Sequence, residues 1–149
     1  MAFFSKQNLL DILLKTSSNN LVFRYKGNPP FHSSTHHIFI IMARMVNSGD
    51  LILVNGTSKV DERLSRLETM GIDVDRTTVR ISSKKYNFFP KETLIDCNSV
   101  NVLSPNEIKI DNFEYVRDGK MLEEDFAKIK QAIIASSLVE PYIKNNLKD

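Results

Sequence analysis

The chain has 149 residues, 42% of them hydrophobic and 26% charged, the balance of an ordinary soluble domain. That length buries a core without a staple, and the single Cys97 excludes both an internal disulfide and a cysteine-based zinc framework. A net charge of +2 excludes a protein that holds nucleic acid by bulk charge, so any basic footprint must be local. No run approaches the roughly 18 apolar residues of a membrane span. Asp11 and Lys15 interrupt the first apolar stretch, unlike the layout of a signal peptide. The expectation is one domain over residues 1–149, cytoplasmic and without membrane contact.

In chain order, Ser5 can cap a helix on which Leu9, Leu10, Leu13 and Leu14 recur at helical spacing, up to the Ser-Ser-Asn-Asn breaker at 17–20. This predicts an N-terminal amphipathic helix within residues 1–18, a lid on the core or a docking surface. Residues 21–26 alternate, with Leu21, Phe23 and Tyr25 against Arg24 and Lys26, as in a half-buried strand. Gly27-Asn28-Pro29-Pro30 closes it. A polar loop with His32, His36 and His37 then runs into the apolar Ile38-Phe39-Ile40-Ile41-Met42. After the turn Asn47-Ser48-Gly49-Asp50, the run Leu51-Ile52-Leu53-Val54 reads as a strand buried on both faces, ending abruptly in Asn55-Gly56-Thr57-Ser58-Lys59. If the two strands form an antiparallel hairpin, the histidine end of the first lies beside the Thr-Ser end of the second.

Residues 60–70, with Leu64 and Leu67 among charges, predict a helix before Gly71. Strands follow over residues 77–82, 93–96, 100–103 and 108–110, with a loop at 84–91. Short strands separated by Gly, Asn, Ser and Pro indicate an α+β, mainly β fold, a small barrel or a strongly bent antiparallel sheet over residues 21–116. C-terminal helices are expected within residues 121–147. In the first, Leu122, Phe126, Ile129 and Ile133 share a face and Glu123, Glu124 and Asp125 sit where the helix dipole favours acid; Pro141 opens the second.

Three groups carry candidate chemistry. Thr57, Ser58 and Lys59 offer two hydroxyls, an ammonium and the amides of a glycine turn, all suited to phosphate. Their spacing is not that of the nucleotide-hydrolase phosphate loop, and a turn whose hydroxyls cap the next helix is the alternative. His36 and His37 stand at the mouth of a buried strand, where imidazole can act as general acid or base, and no further ligands accompany them to build a metal site. Lys84, Lys85, Tyr86 and Lys91 interleave charge with the rings of Phe88 and Phe89, a pattern that lets bases stack while cations track phosphate. Arg76 and Arg80 would extend that strip. Phe88 and Phe89 turning into the core is the other reading. Cys97, beside Asp96, reads as structural.

The order of these parts, with Glu92-Thr93-Leu94-Ile95-Asp96-Cys97-Asn98-Ser99-Val100 followed by Leu103-Ser104-Pro105-Asn106-Glu107-Ile108 and a C-terminal helix, resembles the MazF/PemK (Kid-like) toxins over roughly residues 36–135. The resemblance implies an SH3-like barrel, usually a homodimer, that acts as a metal-independent endoribonuclease on single-stranded RNA, needs no cofactor and is neutralised by an antitoxin. Thr57 and Ser58 match the family's Thr-Ser at the end of its buried strand. His36-His37 stands where the family carries an Arg-Pro element. The implied mechanism is attack of a ribose 2′-hydroxyl on the adjacent phosphate, with one of His36 and His37 moving the proton and Thr57, Ser58 and Lys59 on the phosphate oxygens. A barrel of the same kind that binds nucleic acid or a protein without catalysis is the alternative.

Overall fold

A computed structural model of the chain describes residue 11, residues 19–26 and residues 37–148. The expected N-terminal helix over residues 1–18 lies outside the described residues except for Asp11, and His32 and His36 lie outside them too. Seven strands are described: β1 (Leu21–Tyr25), β2 (His37–Arg44), β3 (Leu51–Thr57), β4 (Thr78–Ile81), β5 (Thr93–Asp96), β6 (Asn101–Leu103) and β7 (Phe113–Lys120). Four helices accompany them: α1 (Val60–Thr69), α2 (Val74–Thr77), α3 (Glu123–Ala135) and α4 (Pro141–Asn145).

The strands pair antiparallel in the order β4-β5-β3-β2-β1-β7, with β6 added against β3. This path is open, which corrects the barrel expectation in favour of an open, mainly antiparallel sheet with a few helices. Closure would need β4 to pair with β7, and among the described residues the two do not pair. The sheet is joined through β3. One of its edges carries β2, in the hairpin register Phe39↔Asn55 to Arg44↔Leu51. Its other edge is shared: Leu51, Ile52 and Leu53 pair with β6, while Gly56 and Thr57 pair with β5. A strand that changes partner midway must twist between them.

Burial explains why β3 is an uninterrupted apolar run. Leu51, Ile52, Leu53 and Val54 are all at most 1% exposed. Period-two alternation sends Ile52 and Val54 to one side, with Ile40, Met42, Ile95, Ile129 and Ile133, and Leu51 and Leu53 to the other, with Phe23, Tyr25, Phe39, Ile41 and Phe113. Each such side chain contributes about 1.5–3 kcal/mol by leaving water. A bulge between Ile41 and Ala43 puts neighbouring Met42 and Ala43 in the same core.

Several boundaries differ from the expectation. Thr77 ends α2 rather than starting a strand, because Asp73 caps a single helical turn and accepts from Arg76 N–H at 3.4 Å. Residues 108–110 form no strand: 3-10 turns at Pro105–Glu107 and Ile110–Asn112 occupy that region, and Lys109 N–H donates to the buried Tyr25 hydroxyl at 2.9 Å. Leu122 stands at the N-cap of α3 and is 49% exposed, so it leaves the apolar face that Ile129 and Ile133 keep.

Candidate functional site

Strand β3 emerges from the core at Asn55, and Gly56 is pressed between its neighbours. A Cβ there would collide with Thr93 Cγ2 and lie 3.1 Å from Ile95 Cδ1, so only glycine lets β5 come this close. Thr57 follows, and its Oγ1 accepts from Lys59 N–H at 3.1 Å, which turns the chain into α1. No side chain caps α1. The hydroxyl of Thr57 thus shapes the turn itself, while Ser58 and Lys59 are exposed. Among the described residues the Ser58 hydroxyl and the Lys59 ammonium have no partner.

His37 opens β2, opposite Tyr25 of β1. The antiparallel β2–β3 hairpin brings it to the same end of the sheet as the Thr57 tip. Both line one cleft of about 510 Å³, together with Ser58, Lys59 and, from the far side, Lys91. Ile38, Phe88, Phe89 and Thr93 supply the rest of its wall, and no carboxylate lines it. His37, three hydroxyl-bearing residues (Thr57, Ser58 and Thr93) and two lysines therefore line one partly apolar hollow. That donor set fits an anionic, phosphate-bearing ligand, and the imidazole adds a proton carrier beside it.

The expected basic strip divides. Lys91 joins the cleft and Lys84 is exposed outside it. Lys85 is tied to the start of α3 by ion pairs to Glu124 Oε1 at 2.9 Å and Asp125 Oδ2 at 3.0 Å, and these carboxylates hold its pKa above the usual lysine range. Tyr86 is 8% exposed, and its hydroxyl donates to Asp125 Oδ2 at 2.5 Å while accepting from Leu122 N–H at 3.0 Å. Burial, with that carboxylate, pushes its phenol up to about 12. The ring presents no face for a base, and Phe88 and Phe89, each 3% exposed, pack on it at centroid distances of 5.1 and 6.0 Å. Arg76 and Arg80 face a different groove, against α3.

The sequence matches no protein-family model and no curated protein at a significant level. Among the described residues, no group of three or more His, Cys, Asp or Glu side chains is placed to hold a metal ion, and no helix is long and apolar enough to cross a membrane.

Two buried polar clusters support the cleft and went unread in the sequence. Asp125 is one, described above. The other joins Asp96 to Arg63 Nη1 at 3.1 Å and to Asn98 N–H at 3.0 Å; Asn98 in turn donates to Thr77 Oγ1 at 2.9 Å and accepts from Ser136 Oγ at 2.7 Å. This network ties α1, the end of β5, α2 and α3 into one frame behind the cleft. Cys97 beside it is fully buried, and burial first and Asp96 second hold its thiol well above the usual range.

Proposed function

We propose that the Thr57 cleft binds the backbone of single-stranded RNA and cleaves it as a metal-independent endoribonuclease. The observation that carries this reading is the convergence of His37 with Thr57, Ser58 and Lys59 in one cleft free of carboxylates. In this reaction the 2′-oxygen attacks the adjacent phosphorus as His37 takes its proton. The bond from phosphorus to the 5′-oxygen breaks, leaving a cyclic phosphate, and the 5′-oxygen takes a proton from water. Negative charge grows on the non-bridging oxygens in the transition state, where the Thr57 and Ser58 hydroxyls and the Lys59 ammonium can donate. Lys91 meets the backbone on the far side.

The resemblance to the MazF/PemK toxins supports the same reading and adds the rest of the proposal: a cytoplasmic, homodimeric toxin restrained by an antitoxin. The test is incubation of the purified protein with end-labelled single-stranded RNA in excess EDTA, beside His37→Ala and Thr57→Ala. Discrete cuts that vanish in both variants are expected. Intact RNA at high protein concentration, or cuts that survive both substitutions, would overturn catalysis and leave a cleft that binds without turnover.

A further inference from the structure

A groove of about 830 Å³ runs between β4 and α3, on elements that contribute nothing to the Thr57 cleft. Val79, Ala132 and Ile134 give it apolar walls. Arg76, Arg80 and Lys128 line it against a single carboxylate, Asp75, and among the described residues none of the three cations has an ion-pair partner.

One wall is a strand edge. β4 ends the strand order, with β5 on its inner side only. Thr77 C=O points inward, since it accepts from Cys97 N–H at 3.0 Å. Strand alternation then turns the carbonyl of Thr78 and both backbone groups of Arg80 outward, where among the described residues no strand pairs with them. Thr78 N–H is already satisfied by Val74 C=O. An exposed edge of this kind is a template for another strand.

We infer that this groove takes an extended peptide segment with acidic side chains at alternate positions, which joins the sheet as a strand along β4. The backbone edge supplies main-chain hydrogen bonds, and the three cations supply the charge preference. β4 offers about 13 Å of edge at about 3.3 Å per residue, enough for roughly four residues of peptide. Nucleic acid fits less well, because no aromatic ring lines the groove to stack a base.

Fluorescence anisotropy with a labelled peptide of about eight residues alternating valine and glutamate tests this, beside the same peptide with lysine for glutamate. The acidic peptide should bind. Arg80→Glu and Lys128→Glu should each weaken it about tenfold, while the exposed Lys109→Glu, elsewhere on the surface, leaves it unchanged. Methylating alternate peptide amides should abolish binding in one of the two registers only, as strand addition requires. Circular dichroism of each variant separates lost binding from lost fold. No binding at millimolar peptide, equal binding of the lysine peptide, indifference to methylation, or displacement by oligouridylate overturns the inference. None of these readouts involves RNA cleavage, so they stand apart from the fate of the Thr57 cleft.

Discussion

The Tyr86 hydroxyl donates to Asp125 Oδ2 at 2.5 Å, joining the loop before β5 to the first turn of α3. Asp125 is 3% exposed, so this bond, with Lys85, is what allows a carboxylate into the core. Tyr86→Phe takes away its donor and leaves Leu122 N–H without an acceptor. A loss of about 1–3 kcal/mol is expected, read as a lower urea midpoint with unchanged m. The same pair predicts an alkaline effect. A phenol whose pKa rises from 10.0 to about 12 on folding contributes stability in full below pH 10, and that contribution is lost as pH rises through 12. Urea melts across this window should therefore show a steeper decline for the wild type than for Tyr86→Phe.

The lysines should sort by salt dependence. Lys59 and Lys91 line the cleft, so Lys59→Ala and Lys91→Ala should each lower the slope of log K for single-stranded RNA against log salt by about 0.7. Lys85→Ala should leave the slope unchanged and lower stability instead, because Lys85 is committed to Glu124 and Asp125. Filter binding at several salt concentrations, with a melt of each variant, separates the two classes.

Gly56→Ala should be costly despite the small change. Its Cβ meets Thr93 and Ile95, both buried, so β3 and β5 must part, at about 1–3 kcal/mol. RNA affinity should fall with stability, since Thr57 is the next residue. A variant as stable as the wild type would show that the tip yields more easily than its packing indicates.

Cys97 should be inert. It is 0% exposed, and burial keeps the thiol protonated near neutral pH. Iodoacetamide should label it only in denaturant, which also makes labelling a probe of unfolding for the variants above.

The hairpin of β2 and β3 was legible because both strands are apolar runs divided by an Asn-Ser-Gly turn, and Gly49 indeed adopts φ 76° there. That hairpin is also what made the meeting of His37 and Thr57 foreseeable. Strand β7 was not legible. Phe113 and Val116 are its buried residues, spaced three apart because they lie on opposite faces, Phe113 in one core cluster and Val116 in the other, and the ladder then shifts register after Tyr115. Period-two patterning cannot reveal a strand that buries a single residue on each face. The aromatic loop failed for another reason. Tyr86 and Lys85 look like a binding surface beside their neighbours in sequence, and their partners Glu124 and Asp125 lie 39 and more residues away. Nothing local distinguishes a cation waiting for phosphate from one already paired.

The forked pairing of β3 bears on how the protein is made. His37, the Thr57 tip and Lys91 have all left the ribosome before β5 and β6 emerge, yet those later strands hold the far edge of β3. A chain arrested before residue 93 would carry His37, Thr57, Ser58, Lys59 and Lys91 without the strands that hold the far edge of β3. On the proposed reading of the cleft, an incomplete chain would lack the frame that holds its tip until translation is past Leu103.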